Sequence, residues 1–174
     1  TFAIDEDGST IIDVLGNDSD PDGDTLTITR INSTNVTAGD SVSVTGGTIT
    51  LNANGTLTFN PAANYNGSPS FTYTVSDGNG GTATATVNGT VTPVNDVPVA
   101  GNDTFTTPED TAITIDVRAN DTDADGDALT VTAINGTAIA TGQSIAITGG
   151  SVRLDADGRL SFTPNANFNG TVSF

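Results

Sequence analysis

The sequence predicts an all-β protein made of two tandem Greek-key β-sandwiches. Three observations predict it. Apolar residues alternate with polar ones in short runs such as Thr10, Ile12, Val14 and Phe71, Tyr73, Val75, the period of a half-buried strand. No stretch shows the 3.6-residue period of a helix. Thr1 laid on Thr104 also begins a gapless match that ends with Phe71 on Phe174, with roughly half of the paired residues identical. An offset of 103 residues is that of a domain, not of a solenoid unit. Several differences between the copies keep volume, as expected of core positions: Ile28 with Val131, Val42 with Ile145, Val44 with Ile147, Tyr65 with Phe168.

The first copy opens with a short strand at Thr1–Ile4 and an acidic turn at Asp5–Gly8. A strand carrying Thr10, Ile12 and Val14 follows, then the acidic loop Asn17–Asp24, and Leu26 and Ile28 resume the alternation. Val42 and Val44 mark a further strand, turned by Gly46-Gly47. Ile49–Leu51 and Leu57–Phe59 flank Asn54-Gly55, which predicts a hairpin with a type I′ turn. The second copy places Asp157-Gly158 there. Pro61–Gly67 crosses irregularly, with Tyr65 closing one end of the core. Phe71, Tyr73 and Val75 line a strand, Ser76–Gly81 turns it, and Ala83, Ala85 and Val87 line the return. Seven or so short strands at even spacing suit a two-sheet sandwich in each copy.

The expected layout is one repeat over 1–94, a proline-stiffened linker over 95–102 and a second repeat over 103–174. The second repeat lacks counterparts of Thr72–Val75 and Thr82–Val91 and is expected to miss its last strands. Either the sequence simply stops there, or a neighbouring chain donates them, or the second copy is unstable alone; donation makes homo-assembly into a filament a further expectation.

Acidic residues outnumber basic ones 21 to 4, for a formal charge of −17. That balance disfavours nucleic acid and anionic membranes as partners, since both need a basic patch. No apolar run reaches membrane-spanning length. Without Cys, disulfides and zinc–thiolate sites are excluded. With no His, Cys or Lys, the Ser and Thr hydroxyls have no general base beyond carboxylates, and the carboxylates lie in Asp-rich turns without a flanking aromatic cleft. An enzyme is not expected.

The charge is concentrated in Asn17-Asp18-Ser19-Asp20-Pro21-Asp22-Gly23-Asp24, which returns as Asn120-Asp121-Thr122-Asp123-Ala124-Asp125-Gly126-Asp127. A hard dication such as Ca2+ takes six to eight oxygen ligands, and alternate Asp residues with a turn-forming Gly supply them. The candidate ligands are therefore Asp18, Asp20, Asp22 and Asp24 with Asp121, Asp123, Asp125 and Asp127. The spacing begins like an EF-hand loop, but its twelfth position is Thr29 or Thr132, not the bidentate Glu, so further ligands must come from elsewhere. Glu6 and Glu109 after the first strands, Asp77 in the late turn, Asn95 and Asp96 in the linker, and Asp103 are the candidates.

Glu6, Asn95-Asp96 beside the prolines, and Asp123-Ala124-Asp125 together resemble the calcium pattern of cadherins. The whole chain more closely resembles the bacterial cadherin-like, VCBS-type tandem repeats of large secreted RTX-type adhesins. Pro108-Glu109-Asp110-Thr111, Asn120–Asp127, Ser76–Gly81 and Val94-Asn95-Asp96-Val97-Pro98 carry that likeness, while Asp5 stands where Pro108 does in the second copy. The resemblance implies an Ig-like, cadherin-like fold and an extracellular or cell-surface extender array on a Gram-negative bacterium, often exported by a type I system. Such an array holds an adhesive tip away from the cell or joins biofilm matrix, its junctions between neighbouring repeats stiffened by Ca2+. The alternative is a carbohydrate-binding module that uses Tyr65 and Phe168 to stack on glycans.

Overall fold

A computed structural model describes residues 1–174 as two compact units, Thr1–Asn95 and Asp96–Phe174. Both are built of strands, as the alternation requires. In the first unit β1 (Phe2–Asp5), β9 (Thr82–Thr92), β8 (Ser70–Ser76), β3 (Thr27–Ile31) and β4 (Thr34–Asn35) form one sheet in that order. The other sheet runs β2 (Thr10–Ile12), β7 (Leu57–Pro61), β6 (Gly47–Leu51), β5 (Ser41–Val44). β1 lies parallel to β9, and the other pairs are antiparallel. Apolar faces of the two sheets meet in one core, with Ile31, Ile49, Leu57 and Phe59 fully buried. Phe2 adds a tilted ring contact to Phe59, at 5.1 Å between centroids.

Two local features differ from the sequence expectation. The alternation of Leu26 and Ile28 continues to position 30, which is Arg. A register shift between Ile28 and Arg30 resets the strand, so Ile28 and Ile31 both face the core and Arg30 faces solvent. The β6–β7 hairpin forms where expected, but its turn is not type I′. Gly55 N–H donates to Asn52 O and Asn52 N–H to Thr56 O, and Gly55 alone takes a positive φ, of 83°. This is a type I turn closed by a left-handed glycine, which needs one such residue instead of two. Asp155 to Arg159 repeats the arrangement, with Gly158 at φ 82°. β4 lies in an exposed, polar run that gives no apolar signal, so the sequence reading did not contain it.

In the second unit, β10 (Ile113–Ile115), β15 (Leu160–Pro164), β14 (Gly150–Leu154) and β13 (Ser144–Ile147) reproduce the sheet of β2, β7, β6 and β5. The opposite layer is reduced to β11 (Ala133–Ile134) paired with β12 (Thr137–Ala138). The reason lies in the ladders of the first unit. There β3 pairs with β8 and β1 with β9, and the second unit ends at Phe174, the counterpart of Phe71 near the start of β8. Residues 105–108, which match β1, accordingly form no strand. Phe105 instead packs on Phe162 and Phe174, at 5.5 and 5.9 Å. Beside them a cleft of about 400 Å³ is lined by Val131, Ile134, Leu160 and Val172.

Phe59→Ala should lower the free energy of unfolding by about 3–5 kcal/mol, because a fully buried ring leaves a cavity between the sheets. Ile11→Ser, at a side chain 69% exposed, should change it by no more than about 0.5 kcal/mol. Urea unfolding followed by circular dichroism measures both.

Candidate metal centre

The acidic candidates fall into three physical situations. The first is the base of β1. Glu6 is only 3% exposed, although carboxylates are seldom buried without a partner. β9 buries it: Glu6 N–H donates to Thr92 O at 3.1 Å, and Glu6 Oε1 accepts the Val94 N–H at 2.7 Å. Its other oxygen, Oε2, is buried with no hydrogen-bond partner. Such an oxygen costs free energy unless something with positive charge satisfies it. Glu109, the same residue of the repeat, is exposed and lines a cleft with Asp103, also exposed.

The second is the loop Asn17–Asp24, where Asp18, Asp20 and Asp24 are each taken up by hydrogen bonds. Asp18 accepts the Tyr73 hydroxyl with both oxygens, at 3.0 and 2.9 Å. Asp20 Oδ1 accepts the backbone N–H of Asp22 at 2.8 Å and of Asp24 at 3.3 Å, which shapes the turn. Asp22 is exposed. Asp24 Oδ2 accepts the Asn79 amide at 2.7 Å, and Asp77 holds the β8–β9 turn through the N–H groups of Asn79 and Gly81. Asp77 is therefore a turn-forming residue in the same hairpin that captures Asp24.

The third is the matching loop of the second unit. Asp123 Oδ1 again accepts from Asp125 and Asp127 N–H, at 3.0 and 3.1 Å. Here Asp123, Asp125 and Asp127 each offer a carboxylate oxygen, all within 4.8 Å of one another. Asp127, the Asp24 counterpart, is part of this group, whereas Asp24 is hydrogen-bonded to Asn79. Asp125 Oδ2 accepts the Asp96 N–H at 2.6 Å, which brings the start of the second unit onto this loop. Asp121 stands apart and accepts the Gly101 N–H at 2.8 Å. Asn95 is the last residue of the first unit.

The donor set fits Ca2+. It consists of hard carboxylate oxygens, with no soft or nitrogen ligand in the chain. The ion pairs of Arg118, Arg153 and Arg159 go to Asp116, Asp155 and Asp157, outside the Asp121–Asp127 loop.

A family model described as bacterial Ig domain matches residues 1–90 and again 95–174. The chain belongs to the bacterial Ig domain family. The two matches cover the two strand-built units, so these are tandem bacterial Ig domains, the bacterial Ig-like relation that the cadherin-like resemblance implied. Bacterial Ig domains are typically non-enzymatic structural modules of surface proteins. Neither the curated proteins nor the solved structures give a match. No helix of either Ig domain is long and apolar enough to cross a membrane.

The Tyr73–Asp18 contact was not foreseen from the sequence, since 55 residues separate the partners. Tyr73 Oη lies 3.1 Å from Val14 O and is buried with it. Burial first, then the hydrogen bond and the charge of Asp18, push this hydroxyl up to about 12 from its ordinary value of 10.0. The folded protein holds the proton more tightly than the unfolded chain. Stability should therefore be flat with respect to this group below pH 10.0 and fall as the pH rises from there through about 12. Tyr73→Phe should remove that alkaline loss and cost about 1–3 kcal/mol at neutral pH by leaving Asp18 without its donor. Thermal unfolding of both proteins across this pH range checks the two outcomes.

Proposed function

We propose that the chain is a calcium-stiffened extender repeat of a bacterial surface adhesin or matrix protein. The observation that carries this reading is Glu6: a carboxylate buried at the base of β1, with one oxygen unsatisfied and the other holding the N–H of Val94, the residue that leads into Asn95-Asp96. A dication is the natural partner for that oxygen, because neutral donors leave the buried charge uncompensated. Glu6 and Asn95 of the first domain, and Asp96, Asp123 and Asp125 of the second, are the proposed ligands. Asp127 completes the acidic set of the second domain's loop. Bound Ca2+ would supply positive charge and six to eight coordination positions, drawing together carboxylates that otherwise repel. At a formal charge of −17, removing the ion leaves the linker to swing and the domains to repel.

Adhesion itself falls to other parts of such a surface protein. In this reading the two domains provide reach and stiffness, outside the cell. Tyr65, the aromatic considered for glycan stacking, is half-buried with its ring over Gly46.

Calcium at about a hundred times its dissociation constant should raise the unfolding free energy by roughly 2.7 kcal/mol per site. Small-angle scattering should show a longer, stiffer particle in calcium than in chelator. Glu6→Gln keeps a carbonyl oxygen for Val94 and removes the charge, so both responses should shrink. Asp96→Asn should loosen the particle more than it destabilises either domain. No calcium response in melting or scattering would overturn the proposal.

A further inference from the structure

The two domains treat one surface differently. In the second, the extended segment Val99–Asn102 lies along the Asn120–Thr122 loop. Val99 and Thr122 exchange backbone hydrogen bonds of 2.8 and 3.0 Å, Gly101 N–H donates to Asp121 Oδ1 at 2.8 Å, and Asn120 Nδ2 donates to Asn102 O at 3.1 Å. The approach is close enough to select glycine. A Cβ on Gly101 would stand 2.7 Å from Asn120 Nδ2 and 2.8 Å from its Cγ.

The first domain has the same Asn-Asp pair, Asn17-Asp18, but the offset of 103 residues puts the counterpart of Val99–Asn102 ahead of Thr1. At the corresponding place is a cleft of about 450 Å³, lined by Asn17, Asp18 and Ser19 on one side and Tyr73, Val75 and Ala83 on the other. The Asn17 side chain is exposed, and Asp18 takes the Tyr73 hydroxyl with its acceptor capacity only partly used.

We propose that this cleft is a seat for an extended Val-Ala-Gly-Asn segment, the linker of an adjoining repeat of this kind, held as Val99–Asn102 is held in the second domain. The proposal rests on the reading of the chain as part of a repeat array. The chemistry matches point for point: Ser19 exchanges backbone bonds with the Val, Asp18 accepts the Gly N–H, and Asn17 donates to the terminal Asn carbonyl. Val-Ala-Gly carries no charge, so it enters beside Asp18, Asp20 and Asp77 without adding repulsion. Glycine is required for the same reason as at Gly101. Asp18 thereby joins three elements: the incoming linker, its own loop and, through Tyr73, the β8–β9 hairpin.

The test extends the full chain by the Val97–Asp103 sequence placed ahead of Thr1. One control carries alanine at the position matching Gly101, and a second carries the same residues in scrambled order. All are kept in chelator, so the outcome does not depend on calcium. Hydrogen exchange at the added glycine amide should slow about 10-fold or more relative to the scrambled extension, as expected for a bond to a carboxylate. The melting temperature of the first domain should rise with the native extension and not with the alanine one. Exchange at the free-peptide rate, or equal protection in the alanine control, would overturn the seat. Loss of the calcium response alone would leave it standing.

Discussion

The β8–β9 hairpin is the constraint on which the rest of the first domain depends. β8 supplies the ladder for β3, and β9 supplies it for β1. With the hairpin in place the domain has two full sheets and a continuous core from Ile12 to Val91. The second domain's residues up to Phe174 correspond to the first domain's up to Phe71, a stretch that ends ahead of most of the hairpin. The second domain's inner face closes only around Ile134, Ile139, Val152, Leu154, Leu160 and Phe162. β-branched and aromatic residues at 130–132 and 105–108 do not make strands on their own, because an extended segment gains its hydrogen bonds only from a neighbour.

The same hairpin governs the acidic chemistry. Its exit buries Glu6, its turn captures Asp24 through Asn79, and its Tyr73 occupies Asp18. One octapeptide pattern thus gives two electrostatic outcomes. In the first domain the loop's charges are dispersed onto neutral donors. In the second, carboxylate oxygens of Asp123, Asp125 and Asp127 lie within 4.8 Å of one another.

Much of this was legible in the sequence, for reasons that are local. The β6–β7 hairpin follows from alternation plus a glycine, and the strand positions of Val42, Ile49 and Phe71 follow from alternation alone. What escaped depends on contacts distant in sequence or on backbone detail. Ile31 reaches the core only because of a bulge that alternation cannot show. Glu6 and Glu109 hold the same place in the repeat, each followed by Asp, and nothing beside Glu6 in the sequence shows that Val94, 88 residues on, is its partner. Asp20 and Asp77, chosen for their charge, bind backbone amides of their own turns, which the Asp-x-Asp-Gly-Asp and Asp-Gly-Asn-Gly spacing also encodes.

The parallel pairing of β1 with β9 has a mechanical meaning. Phe2 lies opposite Gly89 and Asp5 opposite Thr92, so the chain enters and leaves the domain along neighbouring, co-directional strands. Tension applied through the two ends slides these strands past each other along their length. The hydrogen bonds between them are then loaded in shear, all together, and not peeled one at a time as in a hairpin pulled from its open end. A module held in tension between its two ends gains rupture resistance from this geometry alone.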